Sequence, residues 1–135
     1  MIVDLKDKDV IGSFELEGGG KVHLRLRSEA DEKKIRAACF KKVAEYPFLD
    51  GKYQRFEVET TDMDLFMEMS FDCNITGWDD LFDWNKKPIP VTKENKVLLM
   101  KNVPLFQKAV NDGLKKLKED EAKSAEQAEK NSMTG

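Results

Sequence analysis

The chain has 135 residues and a mass of 15.5 kDa, which suits one domain that buries its own core. Charged residues make up 36% and apolar residues 40%, and the net charge of −3 argues against a global positive field for nucleic acid or an anionic membrane. No apolar run approaches the roughly 20 residues that span a bilayer, so a soluble globular protein is expected.

Residues 10–27 are predicted to form a β-hairpin. Val22, Leu24 and Leu26 alternate with polar residues, which is typical of a half-buried strand. The glycines at 18–20 supply the left-handed conformations that a tight connection needs. An isolated hairpin is marginal in water, so its apolar face is expected to lie on helices. Its solvent face is expected to carry Glu15, Glu17, His23, Arg25 and Arg27.

The next segment carries a predicted helix over residues 29–46. Ser28 is its expected N-cap, and Pro47 disfavours helical geometry in the residue before it. Residues spaced three or four apart predict its buried face, namely Ile35, Cys39, Val43 and Tyr46.

A second helix is predicted over residues 62–72, with Thr61 as its cap. Its expected buried stripe consists of Met63, Phe66, Met67 and Phe71. The RFEVE stretch at 55–59 alternates between apolar and charged residues and indicates a short strand before this helix.

Two further helices are predicted after a proline-rich loop. Thr92 is the expected N-cap of a helix over 93–101, and Pro104 suits the first position of a helix over 104–120. The apolar stripe of the last helix ends at Leu117. We therefore predict a single domain over 1–117 and a polar, flexible tail over 118–135. The predicted fold class is α+β, mainly helical, with the N-terminal hairpin packed on the helices.

The residue pattern predicts no catalytic, metal-binding or cofactor-binding site. His23, the single histidine, has no partner at ligand spacing and is interpreted as an exposed strand residue. Cys39 falls in an apolar helical stripe and is expected in the core, and Cys73 has no obvious base. The chain shows neither a disulfide pattern nor an export signal, so both thiols are expected to be reduced in the cytoplasm.

Two weaker chemical patterns have plainer structural explanations. The EGGGK stretch at 17–21 lacks the spacing of a phosphate-binding loop and predicts a hairpin turn. Asp79, Asp80, Asp83 and Asn85 offer oxygen ligands for a hard cation, but the EF-hand pattern is missing and a solvated acidic face is favoured. The basic clusters at 33–36, 40–42 and 114–118 are flanked by acidic residues, so no nucleic-acid partner is expected.

The WDDLFDW stretch at 78–84 combines large apolar side chains with aspartates. A turn or two of helix would join its tryptophans, with Leu81 or Phe82, in one apolar knot. This knot either pins a long connection or stays partly exposed as a contact patch for another chain. With the face of the last helix, the candidate contact residues are Trp78, Leu81, Phe82, Trp84, Phe106, Val110 and Leu114.

Short motifs over most of residues 12–117 resemble a pattern in tail-region proteins of phages and prophages, including LEGGGKVHLRLR at 16–27 and YQRFEVE at 53–59. The aromatic-acidic stretch is followed by KPIP at 87–90, by TKENK at 92–96 and by PLF at 104–106. The order of these motifs is similar to that of tail assembly chaperones of long-tailed phages. That resemblance implies a non-enzymatic helper that binds the tape-measure protein, recruits tail-tube subunits and forms homo-oligomers, with no catalytic residues.

Two other protein classes remain open at this point. One is a minor structural tail or virion protein, which would stay in the finished particle. The other is a small cytoplasmic adaptor or regulator that binds host proteins. An enzyme is the least favoured class, because the sequence offers no set of groups suited to bond making or breaking. No membrane partner is expected.

Overall fold

A computed structural model describes residues 9–134, with side chains described for residues 9–123. This part is a small α+β domain, which confirms the predicted fold class. Its elements follow the order β1 (Ile11–Glu15), β2 (Lys21–Arg25), α1 (Glu29–Cys39), β3 (Phe40–Glu45), β4 (Phe48–Leu49), β5 (Lys52–Tyr53), β6 (Phe56–Thr61), α2 (Met63–Asn74), β7 (Ile75–Asp79), α3 (Lys93–Asn102) and α4 (Pro104–Thr134).

The central sheet is antiparallel, with strand order β1-β2-β7. The predicted hairpin is confirmed as β1 and β2, and the three glycines between them have φ angles of 97°, 107° and 92°. β7 was not predicted as a strand. Its residues pair with β2 across more than fifty positions of sequence, and the register shifts between His23 and Leu24.

The core lies between this sheet and α4. Val22 and Leu24 of the central strand are buried, as are Phe106 and Val110 of the helix. Such buried aliphatic and aromatic groups each contribute about 1.5–3 kcal/mol to folding. The helix comes so close that a Cβ atom on Gly113 would lie 2.7 Å from Leu24 Cδ1. The hairpin's apolar face therefore lies on a helix, as the sequence predicts.

The first helix is shorter than predicted. The predicted range 29–46 ends in fact at Cys39, and residues 40–45 form β3. Ile35 and Cys39 are buried as expected, whereas Val43 and Tyr46 are exposed and lie beyond the helix. The reason is non-local, because β3 pairs along its full length with β6, and this pairing replaces the helical hydrogen bonds.

The predicted strand at 55–59 is confirmed within β6. The helix predicted over 62–72 is confirmed as α2, but Asp62 and not Thr61 is its N-cap, since its side chain accepts a hydrogen bond from the main-chain N–H of Leu65. Of its predicted stripe, Met63 and Met67 are exposed.

The helix predicted over 93–101 is confirmed as α3, with Thr92 as its cap. The last helix begins at Pro104 as predicted, but its backbone continues to Thr134 and does not end near residue 120. Within the predicted tail at 118–135, the side chains after Lys123 and the whole of Gly135 lie outside the described residues, as do residues 1–8 of the predicted domain.

The predicted solvent face of the hairpin is partly covered by α1 and α2. Arg25 donates to Asp31 over 3.0 Å, and Arg27 donates to Ser70 over 2.9 Å. These arginines are about three-quarters buried because α1 and α2 lie over this side of β2. Ser28 and Asp31 form a reciprocal capping box at the start of α1, which confirms the predicted cap.

Candidate functional site

The segment between α1 and α2 forms a β-arm, which we define as residues 40–61. At its base, β3 and β6 form a two-stranded antiparallel ribbon of six residue pairs, which spans about 20 Å at ~3.3 Å per residue. At its tip, β4 and β5 pair around a tight turn in which Asp50 and Gly51 have φ angles of 52° and 79°. Left-handed Asp-Gly pairs favour the hairpin turns that match strand twist.

The β-arm exposes large apolar side chains. Six of them have between 44% and 74% of their surface exposed, namely Val43, Tyr46, Phe48, Leu49, Tyr53 and Phe56. Phe48 and Tyr53 face each other at the tip with ring centroids 5.1 Å apart. A surface that gathers this much apolar area is typical of a protein contact site.

The β-arm joins the body at a narrow base. The main-chain N–H of Asp62 donates to the carbonyl oxygen of Cys39 over 2.9 Å, which closes the ends of the two strands. Just above this bond, the rings of Phe40 and Phe66 meet edge to face with centroids 6.1 Å apart. Two-stranded ribbons are marginally stable alone. Contact with a second chain would therefore stabilise the arm as well as bind the partner.

A second exposed feature is the Trp loop, which we define as residues 80–90. Asp83 holds its tip, because one carboxylate oxygen accepts from the main-chain N–H groups of Asn85 and Lys87 over 2.8 and 3.0 Å. Trp84 lies within this turn with 99% of its surface exposed. An ordered turn that presents a whole indole resembles the aromatic anchors of protein interfaces.

The predicted apolar knot is wrong, because residues 78–84 form the end of strand β7 and a loop, with one tryptophan buried and the other exposed. Trp78 lies on β7 and faces the core, where its indole N–H donates to the carbonyl oxygen of Ile89 over 2.9 Å. Its ring meets Phe106 edge to face at 5.9 Å between centroids. Trp84 lies in the following loop and faces solvent.

The remaining candidate contact residues divide in the same way. Phe106 and Val110 are each only 1% exposed, so α4 keeps them in the core and does not present them to a partner. Leu81 and Leu114 are half-buried against that core. Phe82 is exposed beside Trp84 and belongs to the accessible surface.

His23 has partners that the sequence spacing did not reveal. Its Nδ1 lies 2.7 Å from Ser13 Oγ and its Nε2 lies 2.8 Å from Asp79 Oδ2. Neighbouring strands place these groups side by side, since β2 lies between β1 and β7. Ser13 and Asp79 are both exposed, so water weakens the polarisation that would activate a serine nucleophile. We interpret these two hydrogen bonds as contacts that stabilise the pairing of β1, β2 and β7.

A cavity of about 450 Å³ lies beside Cys73 and the C-terminal end of α2. An Arg25 N–H donates to the Cys73 sulfur over 3.1 Å and also to Asp31 over 3.0 Å. Burial raises the pKa of the Cys73 thiol, opposed by the positive charge of Arg25 and assisted by the negative charge of Asp31. The thiol therefore stays protonated at neutral pH, which lowers its reactivity as a nucleophile.

Two cations from other elements cap the end of α2. Lys96, only 8% exposed, donates from Nζ to the carbonyl oxygen and a carboxylate oxygen of Asp72 over 3.1 and 3.0 Å. Arg25 donates from Nε to the carbonyl oxygen of Cys73 over 3.0 Å. Both bonds satisfy carbonyl groups that a helix end leaves free, and both place positive charge at its negative end. Arg25, Asp72 and Lys96, which line the cavity, thus have structural roles.

Cys39 lies in the core as predicted, with its sulfur 4.0 Å from that of Met69, and both cysteines are free thiols. Across the residues that the structure describes, no three His, Cys, Asp or Glu side chains are grouped as metal ligands would be. The helices in that same part of the chain include none with the length and apolar character to cross a membrane.

No protein-family model matches the chain, and no curated protein or solved structure matches it either.

Proposed function

We propose that this chain is a non-enzymatic tail assembly chaperone of a phage or prophage. In this role it binds the tape-measure protein and tail-tube subunits in the host cytoplasm. Two lines of support are independent of each other. The short motifs over most of residues 12–117 resemble those of such chaperones. The β-arm and the Trp loop present exposed apolar surface of the kind that protein partners cover.

The single observation that carries a protein-binding role is the exposed apolar surface of the β-arm. Burial of the fractions of Phe48 and Tyr53 that are still exposed, 61% and 74%, would contribute on the order of 2–4 kcal/mol before the entropy cost of association. β4 and β5 pair as a hairpin at the tip, and contact with a partner would stabilise this otherwise marginal pairing.

The test is co-expression of the chain with the tape-measure protein of the same genome, followed by affinity purification. A Phe48→Ser/Tyr53→Ser variant is compared with Ile11→Ser, a control on β1 where the isoleucine is 69% exposed and lies outside the β-arm. Wild type and control are expected to retain the tape-measure protein, and the arm variant is expected to lose at least about 90% of it. Thermal unfolding checks that all three chains fold.

Three outcomes would overturn parts of the proposal. Equal retention by the arm variant and the wild type would remove the β-arm from the interface. Failure of the wild type to bind either the tape-measure or the tail-tube protein would refute the chaperone assignment. Stoichiometric presence of the chain in purified particles would assign it as a minor structural tail protein.

A further inference from the structure

A groove between α2 and α3 is separate from both the β-arm and the Trp loop. We define the α2–α3 groove by its apolar floor of Met67, Val97 and Leu98. It encloses about 470 Å³, enough for several side chains of a partner. Leu98 is 53% exposed although it lies in the middle of a well-formed helix. Methionine and leucine on an open groove are typical of surfaces that accept apolar side chains.

The walls of the groove restrict the backbone of its occupant. Both walls are α-helices, whose main-chain N–H and C=O groups are already bonded within each helix. An extended peptide therefore finds no free strand edge here with which to pair. Burial of main-chain N–H and C=O groups without hydrogen-bond partners costs free energy. An amphipathic helix avoids this cost, because its main-chain groups are bonded within the helix.

The rim of the groove restricts the charge of its occupant. The charged residues that line the groove are Asp64 and Glu68 on α2 and Glu94 and Lys101 on α3. Lys93 lies 3.4 Å from Glu68, but both side chains are more than 40% exposed, so water screens this pair. With Lys93 counted, the rim carries three carboxylates and two lysines, and this excess of negative charge favours lysine or arginine on the flanks of the occupant.

A second apolar groove shares Leu98 with the α2–α3 groove. It has a volume of about 420 Å³ and is lined by Leu99 of α3 and, on the Trp loop, by Ile89 and Pro90. Because Leu98 lines both grooves, a helix that crosses α3 there can place one apolar side chain in each. Apolar residues at positions i, i+3 or i+4, and i+7 of the occupant provide that spacing.

We propose that the α2–α3 groove binds a basic amphipathic helix of a partner protein, with the partner's apolar face over Leu98 and its cations against Asp64 and Glu94. This site goes beyond the proposed chaperone role of the β-arm, since it predicts a second partner segment of defined chemistry. A chain with two such surfaces can hold two segments at once.

The test uses two fluorescent synthetic peptides of about 18 residues. Both carry leucines at i, i+3, i+4 and i+7, and their flanks carry lysine in one and glutamate in the other. Fluorescence anisotropy with the full chain is expected to show the lysine peptide binding at least about tenfold more tightly. Leu98→Gln is expected to weaken that binding about tenfold or more, whereas Ile11→Gln, the exposed control on β1, leaves it unchanged.

A second measurement reverses the charge of the groove rim and tests whether the glutamate peptide then binds. An Asp64→Lys/Glu94→Lys variant is expected to prefer the glutamate peptide, and higher salt weakens either charged pairing. If this variant unfolds, the neutral Asp64→Asn/Glu94→Gln variant is expected to lose the preference between peptides. Equal binding of both peptides to the wild type, no binding of the lysine peptide, or an unchanged affinity in Leu98→Gln would each overturn the proposal.

Peptide binding at the α2–α3 groove can be distinguished from retention of the tape-measure protein by the β-arm. The Phe48→Ser/Tyr53→Ser variant keeps the α2–α3 groove intact and is expected to bind the lysine peptide as the wild type does. Loss of peptide binding in this arm variant would contradict a separate groove site. Loss of tape-measure retention alone concerns the β-arm.

Discussion

Replacement of Gly113 by alanine tests the close approach of α4 to the sheet. In an exposed helix interior this change stabilises by about 1 kcal/mol, because glycine loses more backbone entropy on folding. Here the new Cβ atom would lie 2.7 Å from Leu24 Cδ1 and 2.7 Å from Phe14 Cδ2, closer than carbon atoms approach without displacement. Leu24 is buried in the central strand, so its side chain has little room to move.

The overpacking cost is about 1–3 kcal/mol, which exceeds the helix-propensity gain. We therefore expect Gly113→Ala to lower the free energy of unfolding by about 1 kcal/mol and the midpoint temperature by about 3–5 °C. Urea unfolding followed by circular dichroism measures the free energy, and calorimetry measures the midpoint. A control measures the helix-propensity difference alone: the unfolding free energies of Glu119→Ala and Glu119→Gly are compared at an exposed position of the same helix.

A double-mutant cycle with Phe14→Leu identifies the source of the cost. Removal of the ring is expected to make Gly113→Ala less destabilising, because one of the two closest contacts is gone. The reasoning would be refuted if Gly113→Ala stabilised the chain as much as Glu119→Ala does relative to glycine. Such a result would show that α4 and the sheet are farther apart than the structure places them.

Three further measurements test other features. A hydrogen bond from the Ser28 main-chain N–H lowers the pKa of Asp31 in the folded chain. The ionised carboxylate therefore stabilises the fold fully above the unfolded pKa of about 3.9, and this contribution is lost as the pH falls through the folded pKa. Asp31→Asn should therefore flatten the fall in urea-unfolding free energy below about pH 4, and an unchanged acid profile would contradict this. Lys96→Met should destabilise by about 1–3 kcal/mol because the end of α2 loses a buried charged donor, whereas exposed Lys93→Met should change stability by less than about 0.5 kcal/mol. Trp84→Phe should remove the iodide-quenchable part of the tryptophan fluorescence and leave the emission of the buried indole on β7, and a residual quenchable signal would argue against that burial.

The elements that sequence reasoning predicted best are those with local signals. The hairpin follows from period-two alternation around three glycines, and the starts of α1, α3 and α4 follow from Ser28, Thr92 and Pro104. Each of these signals acts within four residues of the position that it specifies. Cys39 in the core follows equally from the spacing of its apolar neighbours.

The elements that were missed depend on partners far along the chain. Residues 40–45 fit a helix by spacing, and only their pairing with residues 56–61 makes them a strand. β7 is likewise defined by its pairing with β2, which turns Trp78 into the core, whereas Trp84, six positions later, lies in the exposed loop. The partners of His23 and the α2–α3 groove required the fold, because both bring together side chains from separate elements.

The narrow base of the β-arm divides the residues that pack in the domain core from the exposed residues of the arm. The domain core depends on packing between the sheet and α4, which leaves little freedom at positions such as Leu24. The tip around Phe48 and Tyr53 lies beyond the bond from Asp62 to Cys39, and its side chains contribute little to that packing. Side chains at the tip can therefore differ between related chains without a change in the core packing, and the proposed partner contact would differ with them. Exchange of arms between such chains would then transfer partner preference without a new fold.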